Sequence, residues 1–161
     1  MLRPKGIRGF TLVELMITIA LLAIVAMIAV PNFTQFIRNN QVQAKADELK
    51  TFLQYARSQA VVARKSYTVI AGTDWTVQPI GGVVERKLEF NTTQATAKTN
   101  MKDVTFNYRP NGSASSAFDI VVCSNNDFAN GYLVKVENSG VIKMFARGYK
   151  NDITKLGSCT P

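Results

Sequence analysis

Polar residues are almost absent from the first part of this chain and then return with two different periods. From Phe10 to Val30 only Thr11, Glu14 and Thr18 interrupt an apolar run of twenty-one residues. At 1.5 Å per helical residue, such a run crosses a hydrocarbon core about 30 Å thick. Pro31 follows; it lacks a backbone donor and disfavours helical geometry at Val30, so a helix kink or brief break is expected there. Beyond it Val42, Ala46, Leu49, Phe52, Leu53, Ala56, Ala60 and Ala63 recur at spacings of three and four, with charges mostly on the other faces. That spacing predicts a one-sided amphipathic helix to about Lys65, whose apolar stripe must be covered from later in the chain.

From Ser66 the period becomes two. Tyr67, Val69 and Ala71 share one face of a predicted strand; Val84, Leu88 and Phe90 share a face of another, with Glu85, Lys87 and Glu89 opposite. Gly72-Thr73-Asp74 and Pro79-Ile80-Gly81-Gly82 read as turns, and Thr73 to Val84 carries no other readable pattern. Val104, Phe106 and Tyr108 alternate before the turn Pro110-Asn111-Gly112, and Ser113 to Ala117 reads as loop. Phe118 to Cys123 has the near-continuous apolar character of a central strand. Tyr132 to Val136 and Val141 to Ala146 flank Asn138-Ser139-Gly140 as a hairpin. Asn91 to Asn100, polar and Thr-rich, is expected to be an exposed, mobile loop. One long helix followed by many strands predicts an α+β fold, with an antiparallel sheet packed on the C-terminal half of the helix.

The flank of the apolar run decides what the run is for. Met1 to Gly9 carries Arg3, Lys5 and Arg8 and no acid, and ends at Gly9-Phe10. A secretory signal peptide places its small-residue cleavage site after the apolar run. Here the small residue comes before it, so a cut after Gly9 removes the basic leader and keeps the helix. The leader, Gly9-Phe10, Thr11-Leu12-Val13-Glu14-Leu15 and the apolar run resemble the type IV prepilin signature of pilins and pseudopilins. That resemblance implies processing at Gly9 by a prepilin peptidase, N-methylation of Phe10 and a filament-assembly role for Glu14. Leu49 to Ala60, followed by strands and the Ser139-Gly140 hairpin, is similar to the GspH/FimT group, with FimU- or FimT-type minor pilins the nearest in kind.

Glu14 also stands out on its own chemistry. An intramembrane carboxylate costs about 2–3 kcal/mol to insert at the bilayer centre, less near an end, and is normally kept for a use. The α-amino group that cleavage creates at Phe10 is one counter-charge, a neighbouring subunit's amine another, and the resemblance favours the neighbour. Snorkelling to the interface is the plainer alternative. The resulting layout is a leader at 1–9, a transmembrane and filament-core helix at 10–30, and one periplasmic globular domain at 31–161. The basic leader stays cytoplasmic by the positive-inside rule, which places the chain in the inner membrane before a pilus or pseudopilus. The implied partners are the peptidase, other minor and major pilins, and the membrane.

Composition narrows the chemistry further. Formal charge is +8, and removing the three leader bases leaves +5, which on a small exported domain reads first as a solvated surface. Histidine is absent, which takes away the commonest general base and metal ligand, so no catalytic, cofactor or metal site is expected. Glu85 and Glu89 beside Lys87 read as a mixed-charge face and Asn125-Asn126-Asp127 as a turn. Cys123 and Cys159 are an even pair, and an oxidising compartment favours a disulfide; a buried Cys123 with a free Cys159 is the other reading. In the tail, Arg147, Lys150 and Lys155 are interleaved with Phe145 and Tyr149, a composition suited to DNA contact. The tail has one Arg where DNA-binding FimT-type pilins have an Arg-rich segment, so strand-end charges and a solvated tail are preferred. The function expected is a minor type IV pilin. The alternatives are an H-type pseudopilin of a type II secretion system and a DNA-binding pilin.

Overall fold

The computed structural model describes residues 9–101 and 105–161; the leader bases and Val104 fall outside the described residues. The chain divides into two compact units, Met1–Ile37 and Arg38–Pro161. Helix α1, Leu12–Ala63, contributes to both.

In the first unit α1 is continuous across Pro31, so the break expected there is absent. Proline removes one i→i−4 bond, while side chains add bonds around it: Asn32 Nδ2 donates to the Ile28 carbonyl at 3.0 Å and Thr34 Oγ1 to the Pro31 carbonyl at 2.8 Å. In the second unit the expected stripe is buried at Val42, Ala46, Leu49, Phe52, Leu53, Ala56 and Ala60. Ala63, expected with them, is exposed. Arg64 adopts φ of 52°, and this left-handed residue ends the helix.

Among the described residues eight strands follow: β1 (Tyr67–Ile70), β2 (Asp74–Pro79), β3 (Arg86–Glu89), β4 (Thr96–Thr99), β5 (Thr105–Tyr108), β6 (Phe118–Cys123), β7 (Tyr132–Val136) and β8 (Ile142–Met144). They form two four-stranded antiparallel sheets, ordered β3-β2-β1-β5 and β4-β6-β7-β8. The single sheet expected is therefore two, because alternation tells which face a strand buries and not which strand it pairs with. Both sheets pack into one core with the α1 stripe, through residues such as Val69, Trp75, Phe106, Ile120 and Val134.

Three other expectations fail locally. The stretch without pattern holds β2, whose Trp75 and Val77 are buried. The loop expected at Asn91–Asn100 contains β4, paired with β6 from Thr96↔Cys123 to Thr99↔Ile120. Before it, the Asn91 carboxamide oxygen accepts from the Thr93 amide at 3.1 Å, and Ala95 is fully buried. The one apolar side chain of β4, Ala97, is too small to raise an alternating signal. Val84 is exposed, because β3 begins only at Arg86.

The tail covers the other face of the second sheet. There Val121, Cys123 and Leu133 meet Leu156, Cys159 and the partly buried Phe145. Cys123 and Cys159 are joined as a disulfide across a sequence separation of 36, worth roughly 4 kcal/mol in the chain-entropy account. Cys159→Ser is expected to release the tail before the sheet, because few tail side chains besides Leu156 are buried. Limited proteolysis should cut the variant first after Tyr149, and cleavage within β6 or β7 at the same rate would contradict this.

Among the described residues two core side-chain atoms are unpartnered, Trp75 Nε1 and the Tyr108 hydroxyl. The Tyr108 hydroxyl is buried without a hydrogen bond, and burial pushes its ionisation above the ordinary tyrosine value, only partly opposed by the Arg57 charge. A raised folded-state pKa favours folding below about pH 10, the unfolded value, and that contribution is lost as pH rises toward the folded value. Tyr108→Phe is therefore expected to match or exceed the parent in stability at neutral pH, and to lose less of it above pH 10. Fluorescence of Trp75, the single tryptophan, in urea at several pH values checks this; identical alkaline losses in both proteins would refute it.

Candidate processing and assembly site

The start of α1 is built by a reciprocal cap. Glu14 N–H donates to Thr11 Oγ1 at 3.2 Å, while Glu14 Oε2 accepts from the Thr11 amide at 3.2 Å and from Thr11 Oγ1 at 3.0 Å. Thr11 lies directly before the first helical residue and Glu14 is the third, so this is a capping box. Two donors that a helix start leaves orphaned are thereby satisfied. Glu14 Oε1 has no partner among the described residues. The cap is legible as Thr-x-x-Glu before an apolar run.

The rest of the run is exposed along its described residues. Phe10 is 73 % exposed, Leu22 66 % and Val30 59 %, and the helix contains an apolar window, with no part buried, long enough to cross a membrane. Thr18 Oγ1 donates to the Leu15 carbonyl at 2.8 Å, so this hydroxyl is satisfied within the helix, as hydrocarbon surroundings require. At Gly9 an added Cβ would meet no atom within 4 Å. Glycine is thus not demanded there by packing.

The other singled-out residues are dispersed. Arg147 donates through Nε to the Tyr132 hydroxyl at 3.1 Å and through an Nη to Gln43 Oε1 at 3.3 Å. Lys150 and Lys155 are exposed, on either side of a turn in which the Asn151 side chain accepts from the Ile153 and Thr154 amides. Lys143 pairs with Glu137 at 2.7 Å, and each pushes the other's titration away from neutrality. Lys87 joins Asp74 and Glu89, both at 3.0 Å, while Glu85 accepts from the Tyr67 hydroxyl. Among the described residues no cluster of His, Cys, Asp or Glu could hold a metal ion.

Sequence reasoning did not single out Arg57. Its Nε donates to the Gly112 carbonyl at 3.0 Å, and one Nη lies 3.5 Å from the Ser139 carbonyl. One helix side chain thus ties the turn leaving the first sheet to the hairpin turn of the second.

An exposed apolar helix start, a capping glutamate within it, and a later stripe packed on antiparallel sheets together define the type IV pilin class of filament subunit. Residues 4–30 match the prokaryotic N-terminal methylation motif and residues 45–140 match the family described as type II transport protein GspH. The chain belongs to the type IV pilin and pseudopilin family, in its GspH/FimT group. A fimbrial protein of Pseudomonas aeruginosa is 30 % identical over 128 residues, 76 % of this chain and 82 % of that one. The major pilin PilA of Myxococcus xanthus is 51 % identical over 47 residues, 29 % of this chain and 20 % of that protein's length. The fold is shared with the minor pilin FimU of P. aeruginosa (TM-score 0.62, 24 % identity, 77 % of this chain and 98 % of that one). It is also shared with the minor pseudopilin EpsH of Vibrio cholerae (TM-score 0.53, 9 % identity, 66 % and 97 %).

Proposed function

We propose that the protein is a minor type IV pilin, held in the inner membrane by residues 10–30 with its domain in the periplasm, and then incorporated into a pilus. The observation that carries this is the two regimes of α1: an exposed apolar segment from Phe10 to Val30, and a buried stripe from Val42 to Ala60. A soluble domain has no use for the first.

In this reading the leader 1–9 is removed after Gly9 by a prepilin peptidase, and Phe10 becomes an N-methylated terminus. Glu14 Oε2 caps its own helix while Oε1 accepts from the Phe10 amine of a neighbouring subunit. A buried pair of this kind fixes register between packed helices, because breaking it leaves an unpaired charge in an apolar core. Pro31 supplies the point at which the filament helix can bend, having lost one backbone bond.

The GspH match and the likeness to EpsH favour a second reading, an H-type pseudopilin of a type II secretion system. Cleavage and assembly through Glu14 are common to both. DNA contact by Arg147, Lys150 and Lys155 is not part of the proposal, since Arg147 is engaged by Tyr132 and Gln43.

Gly9→Leu tests the processing step without disturbing packing, given the open space at Gly9. The variant is expected to accumulate as uncut precursor in the membrane. Cleavage at the parent's position and rate would remove Gly9 from the site.

A further inference from the structure

The domain's exposed apolar side chains are gathered at one end. Of the eight large ones exposed among the described residues between Arg38 and Pro161, five are Val61, Val62, Ile80, Val83 and Val84. Register places them together. Tyr67 pairs with both Pro79 and Tyr108, so Ser66, Ile80 and Arg109 border one end of the first sheet, and the Ile80 amide donates to the Ser66 carbonyl at 3.0 Å. The last turn of α1 ends beside them. Here a cavity of about 290 Å³ is lined by Arg57, Ser58, Val61, Val62, Asn111 and Gly112.

The charges around this end are mostly positive. Arg57, Arg64, Lys65 and Arg109 form no ion pair among the described residues, and the nearby acid Glu85 already accepts from Tyr67. Exposed aliphatics rimmed by unpaired cations are the anatomy of an interface. We infer that this end of the domain docks a different pilin, whose contact surface is apolar at its centre and carries carboxylates opposite Arg64, Lys65 and Arg109. A second copy presenting the same end would set Arg64 and Lys65 against themselves, a like-charge contact. The cavity beside Val62 accepts one apolar side chain of the partner as an anchor.

This rests on the pilin reading, and the test separates the two. The full chain is expressed in its own cells with a photo-crosslinking phenylalanine at position 62 or 83, and sheared filaments are irradiated. Cross-links to another pilin at an acidic peptide are expected from both positions. In parallel, Val62→Asp and the Arg64→Glu/Lys65→Glu pair should each lower recovery in filaments about tenfold or more, the effect of losing a modest hot spot. The intact Cys123–Cys159 bridge and normal removal of the leader report that each variant folds and inserts. Parent chain missing from filaments would overturn the pilin reading itself. Parent present, with the variants recovered at its level, would overturn the docking surface alone. Cross-links only to a second copy of this chain would overturn the proposed partner.

Discussion

Glu14→Ala is expected to insert in the membrane as well as the parent or better, and to be recovered in sheared filaments at least tenfold less, on the order expected when a buried pair is broken. Insertion gains because an intramembrane carboxylate costs about 2–3 kcal/mol at the bilayer centre. Against this, the helix start loses its bonds to the Thr11 amide and hydroxyl, worth about 1 kcal/mol as a cap. Neither effect accounts for lost assembly. Glu14→Gln separates the cap from the charge, since glutamine closes a capping box as glutamate does but offers no charge to a neighbour's amine. Glu14→Gln should therefore keep the helix start and still fail in filaments. Filament recovery of Glu14→Gln at the parental level would leave Glu14 a local cap and nothing more.

The second large effect belongs to Gly140, at the turn between β7 and β8. Its φ is +79°, and an added Cβ would lie 1.8 Å from the Gly112 carbonyl oxygen and 3.2 Å from Arg57 Nε. The positive φ alone costs an alanine about 1–2 kcal/mol. The overlap is with backbone, so one of the two turns must move, and either movement pulls a carbonyl away from Arg57. A hydrogen bond from a charged donor is worth about 1.5–3 kcal/mol. Gly140→Ala is therefore expected to destabilise by about 4 kcal/mol or more, in the range reserved for severe single substitutions. Arg57→Ala removes only the clamp and should cost less than Gly140→Ala. Urea unfolding followed by Trp75 fluorescence gives both values; a Gly140→Ala midpoint within error of the parent would contradict the close approach of the turns.

How much of this was legible in the sequence depended on side-chain size. The buried stripe of α1 and strands β1, β6 and β7 carry large or branched residues at the right period, and their faces could be read directly. β4 could not, because Ala97, and Ala95 just before it, are too small to mark a face, and Thr96, Lys98 and Thr99 fill the rest. β2 was hidden for another reason: Trp75 and Val77 do alternate, but Asp74, Gln78 and Pro79 around them look like turn residues. The division into two sheets lies in pairing, which a strand's own alternation does not encode. At the candidate site Gly9, Phe10 and Glu14 could be singled out because a basic flank, a small residue and an acid interrupt an otherwise uniform run. Arg57 could not, since its partners are carbonyls of turns 55 and 82 residues away, and nothing in a helix's own sequence announces them.

The central claim is that this chain loses its leader and is built into a filament through helix α1, just after Phe10. Intact-mass and peptide analysis of the chain recovered from sheared pili tests it most directly. The expected species begins at N-methylated Phe10 and carries the Cys123–Cys159 bridge. A chain found only in the membrane with residues 1–9 still attached, or one whose mature terminus lies beyond Val30, would contradict it.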